Sequence, residues 1–154
     1  ESHFLRRYLT ETGITLTRSD IIEPKGAEAL EKRTPAYLNE PGFFRSIPVM
    51  QGAVEAVKTL MEDFDVYIVS AAMEFPLSLF EKQQWLAEHF PFIGWKNIIF
   101  CGEKIVNTDV MIDDRAKNFI DFKGRTLLFT SPHNLLLTDY ERVNNWQEVL
   151  DKLM

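Results

Sequence analysis

The stretch Val110-Met111-Ile112-Asp113-Asp114-Arg115 decides the fold class and indicates where the chemistry lies. Its three leading apolar residues predict a short buried strand, and two adjacent carboxylates follow directly. Open α/β sheets collect functional groups at the carboxyl ends of their strands, where this pair would lie. Neighbouring carboxylates repel each other unless a cation lies between them, and a hard, oxygen-liganded ion such as Mg²⁺ suits that position. The structural alternative is that the pair caps the next helix by accepting hydrogen bonds from its first amides.

The remainder of the chain predicts an α/β architecture with parallel strands. Helical patterns cover His3 to about Glu11, ending at Gly13, and the segments 53–61, 80–90 and 146–153. Short β-rich runs occur at 65–70, 97–100, 110–112 and 126–130. Strands that alternate with helices predict βαβ units in a layered fold. Residues 1–47 are more polar and less regular, and we interpret them as a small helical cap beside an α/β core over 48–154.

Composition narrows the class of protein. The 154 residues are 45% hydrophobic and 26% charged, which is typical of one globular domain. The net charge of −6 argues against general binding to duplex nucleic acid, although a local group of cations can still bind a small phosphate-bearing substrate. The single cysteine, Cys101, excludes an internal disulfide and a cysteine-rich zinc site, and it fits a reducing cytoplasm. No run of about 18 apolar residues predicts a membrane span.

Polar residues follow three successive strands: Ser70, then Lys104, then Asp113 with Asp114. Because parallel strands end at one edge of a sheet, we expect these side chains to converge. A hydroxyl, an ammonium and two carboxylates suit phosphoryl transfer, since phosphate oxygens need hydrogen-bond donors and a cation, and a metal ion can bridge carboxylate and phosphate. Taken singly, Ser70 also fits an ST-turn and Lys104 a solvated loop lysine.

This order of residues resembles the second, third and fourth motifs of the haloacid dehalogenase-like (HAD) phosphatases. Within that superfamily, the chain is similar to the 5'(3')-deoxyribonucleotidase family from about Phe4 to its C-terminus. The similarity is carried by the segments 40–44, 52–57, 65–70, 80–82 with Trp85, 112–115, 128–130 with His133 and Asn134, and 142–144 with Trp146.

The resemblance implies a HAD-like three-layer Rossmannoid parallel sheet with a small helical cap. It also implies an Mg²⁺-dependent phosphatase of (deoxy)nucleoside monophosphates. In that enzyme Ser70 would bind the transferring phosphoryl group, and Lys104 would stabilise its charge. Asp113 would be a metal ligand, with Asp114 as a second ligand or as catalytic support.

The resemblance further implies that Phe43 and Phe44 line the base or sugar pocket, with ordinary core packing as the alternative. Ala71 stands at a substrate-contact position where a second hydroxyl occurs, so one phosphate donor would be lost. His133 and Asn134 would shape the loop beside the site. The loop from Lys104 to Asp113 is about one residue shorter than the family pattern.

The family's first motif, a strand followed by Asp-x-Asp, has no counterpart among the 154 residues. In the family, its first Asp attacks phosphorus to form an aspartyl-phosphate, and its second acts as acid and base. That strand lies between the strands leading to Ser70 and to Asp113, so two sheet halves would each have an unpaired edge without it. We therefore expect the sequence to be a piece of a longer family member, with the nucleophile upstream of Glu1.

Several alternatives remain open on the sequence. A pseudo-enzyme would bind nucleotide or phosphate without cleaving it, and a related HAD phosphatase would act on another small phosphate monoester. Bacterial receiver domains combine similar groups around Mg²⁺, but their acidic pair comes first and their lysine last, which is the reverse of the order here. The expected partner is a small nucleotide, not duplex nucleic acid or a membrane, and the resemblance implies a homodimer.

Overall fold

The computed structural model describes residues 2–22 and 24–154 of the chain. The helices of this part are α1 (Ser2–Thr12), α2 (Arg18–Ile22), α3 (Pro24–Glu31), α4 (Thr34–Leu38), α5 (Ala53–Asp63), α6 (Pro76–His89) and α7 (Trp146–Leu153). The strands are β1 (Ile68–Ser70), β2 (Ile98–Phe100), β3 (Val110–Asp113), β4 (Arg125–Phe129) and β5 (Arg142–Val143). Every strand pair is parallel, so the predicted α/β class is confirmed.

The predicted elements are present, with two differences in the strands. Helix α1 ends where expected, because Gly13 adopts a φ of 71° and its amide donates to the Leu9 carbonyl over 2.8 Å. Strand β1 begins at Ile68, three residues later than predicted, and the two-residue strand β5 was not predicted at all.

The five strands form two separate sheets. One contains β1 and β2, and the other has the order β3-β4-β5. Among residues 2–22 and 24–154, β1 pairs only with β2 and β3 only with β4, so each has an unpaired edge. A cleft of about 630 Å³ separates those two edges, and its lining includes Ile68, Val69, Val110 and Ile112. We call it the inter-sheet cleft.

Helix α5 joins the two sheets by packing on both. Its Val57 belongs to a buried cluster with Leu86 of α6. Ile68 of β1 and Ile98 of β2 pack against that cluster. One turn later, Leu60 belongs to a cluster with Leu127 of β4 and Val149 of α7. The opposite face of the larger sheet is covered by Phe119 and its neighbours. The chain therefore has helical or turn layers on both sides of the strands, as expected from its sequence pattern.

Helices α1, α3 and α4 contribute to an aromatic cluster that is separate from the strands. Tyr8, Tyr37, Phe43 and Phe44 form its buried centre. The guanidinium of Arg7 lies over the Tyr37 ring, 5.0 Å from its centroid, which closes one side. This arrangement fits the interpretation of residues 1–47 as a cap, whose boundary stays a prediction. No helix in the described part of the chain has the length and apolarity to cross a membrane.

Candidate functional site

Asp113 closes β3 with a carboxylate that is only 3% exposed. Its Oδ2 accepts hydrogen bonds from Lys104 Nζ at 2.6 Å and from Asn118 Nδ2 at 2.9 Å, and its Oδ1 accepts from the Arg115 amide at 2.8 Å. Burial raises the pKa of Asp113, but the hydrogen bond and charge of Lys104 and the bonds from Arg115 and Asn118 outweigh it. The pKa of Asp113 is therefore below its ordinary value, and its carboxylate is a fixed anion.

Asp114 differs sharply from its neighbour. Its side chain is 49% exposed, and the His133 Nε2 lies 3.6 Å from its Oδ2. The main chain is held instead, because the Asp114 carbonyl accepts from His133 Nε2 and from Asn134 Nδ2, both at 2.9 Å. Asn134 is buried and also donates to the Phe129 carbonyl. The two residues that we expected to shape this loop therefore fix the turn and leave the Asp114 carboxylate accessible.

Ser70 ends β1 and is paired with a lysine from α6. Its Oγ accepts a hydrogen bond from Lys82 Nζ at 3.1 Å, and the same ammonium lies 4.7 Å from the centre of the Phe44 ring. Burial lowers the pKa of Lys82, and the charge of Lys104 lowers it further, against the opposing effect of Glu74. The ammonium at Ser70 and the ammonium at Asp113 are thus close enough to interact.

A second cleft, of about 680 Å³, lies between the cap and the strand ends. We call it the cap cleft. Its cap wall includes Pro35 and Leu38 from α4. The opposite wall includes Ala71, directly after β1, and Lys104. Its remaining polar lining includes Glu74, Glu103, Arg115, Lys117, Asn118 and Asp121. Lys104 lines both clefts, so the two openings meet at the Lys104–Asp113 pair.

The structure brings most of the predicted site residues together. Lys104 and Asp113 are in direct contact, and Ser70 is bonded to Lys82. The neighbours of Ser70 line the clefts that Lys104 lines: Val69 the inter-sheet cleft and Ala71 the cap cleft. Phe43 is packed within the cap and tilted against Phe4, which is the arrangement that the core-packing alternative describes. Phe44 is also buried, with Lys82 over one ring face. The catalytic and binding roles of these residues stay predictions.

Two residues of the site were missed by sequence reasoning. Asn118 lies five positions after Asp113, and only the tight turn after β3 returns its amide to the carboxylate. Lys82 lies twelve positions after Ser70, on the part of α6 that faces the strand ends. The sequence did offer a reason to consider Lys82, because its segment 80–82 is among those that resemble the 5'(3')-deoxyribonucleotidase family.

No group of three or more His, Cys, Asp or Glu side chains is arranged to hold a metal ion within residues 2–22 and 24–154. The oxygen donors that the sequence predicts as metal ligands are the adjacent carboxylates of Asp113 and Asp114. Of about four acceptor positions on a carboxylate, the Asp113 group uses three, which leaves one on Oδ1.

Comparison with known proteins places the chain in a family. Residues 2–154 match the family described as "5' nucleotidase, deoxy (Pyrimidine), cytosolic type C protein". A Staphylococcus aureus protein, provisionally named 5'(3')-deoxyribonucleotidase, is 47% identical over 113 residues, which are 73% of this chain and 63% of the relative. A Staphylococcus epidermidis protein with the same provisional name is 45% identical over the same shares.

A Bacillus subtilis protein named 5'(3')-deoxyribonucleotidase is 42% identical over 113 residues, which are 73% of this chain and 66% of that protein. In each case the matched region spans less than two thirds of the relative's own length. The family match covers almost the whole chain. The chain therefore belongs to the 5' nucleotidase, deoxy (Pyrimidine), cytosolic type C family.

Proposed function

We propose that the full-length protein is an Mg²⁺-dependent phosphatase that removes phosphate from (deoxy)nucleoside monophosphates. The observation that carries the proposal is that Lys104 contacts Asp113 at 2.6 Å, at the carboxyl end of β3, in a cleft that Val69 beside Ser70 also lines. Hydroxyl, ammonium and carboxylate groups at such strand ends are what phosphoryl transfer requires. The names of the Bacillus subtilis and staphylococcal relatives support the nucleotide as substrate.

The contacts of Ser70, Lys104 and Asp113 suggest a role for each of them in the proposed reaction. Ser70 would donate its hydroxyl proton to a phosphoryl oxygen, because Lys82 already occupies an acceptor position on its Oγ. Lys104 would neutralise charge on the phosphoryl group from its position between the two clefts. Asn118 and the Arg115 amide would hold Asp113 in one orientation throughout.

The donor chemistry at Asp113 and Asp114 suits Mg²⁺. This ion prefers oxygen ligands and commonly binds one or two carboxylates, with water and phosphate oxygens completing its shell. Asp113 Oδ1 has an acceptor position remaining, and the Asp114 carboxylate is half exposed. When bound there, the ion would offset negative charge between the carboxylates and the phosphate.

The nucleophile in this proposal is an aspartate on a strand that pairs within the inter-sheet cleft. Its carboxylate oxygen would bond to phosphorus as the bond from phosphorus to the nucleoside oxygen breaks, and a second aspartate would protonate that leaving oxygen. Water would then attack the aspartyl-phosphate, releasing inorganic phosphate and restoring the carboxylate. Three features support a position for this strand inside the inter-sheet cleft. Among the described residues, β1 and β3 each have an unpaired edge there, and the cleft between them has an apolar lining. Trp146 also lines the cleft, and its buried Nε1 has no acceptor among the described residues.

The cap cleft is the proposed position of the nucleoside. Its mixed lining suits a ligand with an apolar base and a charged phosphate, since Pro35 and Leu38 face a wall that carries Lys104 and Arg115. Phe44 would contribute only if the cap shifts, because its ring is buried beneath Lys82. The cytoplasmic location and the homodimer stay predictions.

The test is phosphate release by the full-length protein from deoxyuridine monophosphate, thymidine monophosphate and a panel of other phosphate monoesters, with and without Mg²⁺. We expect hydrolysis that requires the ion. Asp113→Asn should reduce kcat/KM by about a hundredfold or more, because the variant removes the anionic oxygen ligand proposed for Mg²⁺ and the counter-charge of Lys104. Asp151→Asn, on the exposed part of α7, is the matched control and should retain activity.

The outcomes separate the alternatives. Nucleotide binding measured by calorimetry without phosphate release would favour the pseudo-enzyme. Release from a different monoester but not from nucleotides would favour a related phosphatase. A full-length protein that neither binds nor cleaves any of these compounds would overturn the proposal.

A further inference from the structure

Lys82 is a half-buried lysine of the site to which the resemblance gives no role. Helix α6 begins after β1, and its second turn returns Lys82 toward the end of that strand. The ammonium touches the Ser70 hydroxyl on one side and lies over the Phe44 ring on the other. Two different elements, the core strand and the cap, therefore fix its position.

The direction of the Lys82–Ser70 hydrogen bond has a chemical consequence. An ammonium group can only donate, so the Ser70 Oγ must be the acceptor. The Ser70 hydroxyl proton then points elsewhere, and among residues 2–22 and 24–154 it has no acceptor. A hydroxyl in this state is ready to donate to a further oxygen, and an incoming phosphate supplies one.

The charges around Lys82 point to the same ligand. Within the described residues no carboxylate lies at salt-bridge distance from Lys82, whereas Lys104 is neutralised by Asp113 at 2.6 Å. Two partly buried ammonium groups that feel each other's charge repel unless an anion lies near both. An anion beside the Ser70 hydroxyl would meet this requirement.

The cap supports this lysine through the residue before it. The Glu81 carboxylate accepts hydrogen bonds from the amides of Gly42, Phe44 and Arg45. The loop that carries Phe44 is thereby attached to α6 one residue from Lys82. The position of the Phe44 ring over the Lys82 ammonium is consequently set by backbone contacts.

We propose that Lys82 is a positioning residue, which orients the Ser70 hydroxyl toward a bound phosphate and keeps a positive charge beside it. This proposal rests on the proposed function for its place in the reaction, but its binding step can be measured without any turnover. Lys82 acts through Ser70, so the effects of changing the two residues should not add.

The experiment is a double-mutant cycle in the full-length protein, with inorganic phosphate as the probe in calorimetry. Lys82→Met and Ser70→Ala should each weaken phosphate binding by about tenfold, which is typical for losing a charge-assisted hydrogen bond. The phosphate affinity of the double variant should lie within about twofold of that of the weaker-binding single variant. Lys82→Arg, which keeps a donor and a charge, should restore most of the affinity.

The matched control is Lys58→Met. Lys58 also lies over an aromatic ring, 5.2 Å from the centre of Phe92, but on α5 and away from Ser70. This variant should bind phosphate as the unchanged protein does. Circular dichroism of each variant checks that all of them fold.

Each outcome bears on one proposal. Unchanged phosphate affinity in Lys82→Met, fully additive effects in the cycle, or no phosphate binding by the unchanged protein would overturn the role of Lys82. If phosphate binds and the cycle is non-additive while nucleotides are not hydrolysed, the role of Lys82 stands and the proposed function fails. Where hydrolysis occurs, Lys82→Met should lower kcat more than it raises KM, because the oriented hydroxyl matters most as charge moves onto the phosphoryl oxygens.

Discussion

The two sheets of the molecule differ in how completely their strands are enclosed. In the larger sheet, Leu127, Leu128 and Val143 are fully buried. In the smaller sheet every residue of β1 and β2 is partly or largely exposed, and Ile99 is 37% exposed. Strand β4 has a partner on each edge and a cluster on each face, whereas β1 has one partner within the described part of the chain and borders the inter-sheet cleft.

The same contrast extends to the site. The Asp113 carboxylate, at the end of the larger sheet, receives hydrogen bonds from three donors. The Ser70 hydroxyl, at the end of the smaller sheet, receives one from a single long side chain. The acidic side of the site is therefore held by the segments that come directly before and after β3, while the hydroxyl side depends on α6 and, through Phe44, on the cap.

The largest effect that we expect from this difference is on stability. Leu127→Ala removes a fully buried side chain between α5 and α7, and should lower the free energy of unfolding by about 3 kcal/mol. Ile99→Ala in β2 should cost about 1 kcal/mol or less, since much of that side chain remains in water. Urea unfolding of both variants measures the two values. Equal losses would show that the smaller sheet is as tightly packed as the larger one.

Two glycines, one beside a strand of each sheet, give a second comparison with a smaller expected effect. A Cβ on Gly124, just before β4, would lie 2.3 Å from the Asp109 carbonyl oxygen and 2.6 Å from that of Thr108. Both are backbone atoms with little freedom to move, so Gly124→Ala should cost about 2 kcal/mol. A Cβ on Gly102, just after β2, would meet nothing within 4 Å. Gly102→Ala should therefore change the free energy of unfolding by less than about 0.5 kcal/mol.

Thermal and urea unfolding of the two glycine variants check this prediction. A large loss in Gly102→Ala would mean that the loop after β2 is enclosed by another part of the protein. A negligible loss in Gly124→Ala would mean that the connection between β3 and β4 can relax, which is contrary to the close packing of the larger sheet.

Sequence reasoning succeeded where local pattern determines structure. The periodicity of Trp146–Leu153 gave α7 with the bounds observed, and the apolar run ending at Asp113 gave β3. The same reasoning predicted that the acidic pair, the hydroxyl and the lysine lie together, because strand ends of a parallel sheet meet at one edge. The structure places Lys104 against Asp113, and the roles of these residues stay predictions.

Three of the misses depend on pairing or packing between residues that are distant in the sequence. Strand β5 has only two residues and gains its structure from pairing with β4, where Arg142 opposes Leu128. The predicted strand included Asp65, Val66 and Tyr67, but β1 starts only at Ile68, where the ladder to Ile98 begins. Lys82 reaches Ser70 only because of how α6 packs on the sheet, which no local pattern could reveal.

The smallest effect concerns an ion pair on the surface of the larger sheet. Glu141 accepts from Arg125 Nε at 2.9 Å and from its second guanidinium nitrogen at 2.7 Å, with Lys152 Nζ at 3.1 Å. The hydrogen bonds from Arg125 are the main cause that lowers the pKa of Glu141 to about 2. This carboxylate therefore stabilises the fold fully above its ordinary pKa of 4.5, and that contribution is lost as the pH falls through about 2.

Glu141→Gln should be less stable than the unchanged protein at neutral pH by less than about 1 kcal/mol, because the pair is partly exposed and screened by solvent. The difference should shrink between pH 4.5 and 2, which urea unfolding at a series of pH values measures. Glu62→Gln is the control, since it removes an exposed α5 carboxylate that forms no salt bridge among residues 2–22 and 24–154. A constant difference down to pH 2 would mean that packing of the Glu141 side chain, not its charge, joins β5 to α7. The smaller sheet has no equivalent pair within the described residues, so its stability should show no such dependence.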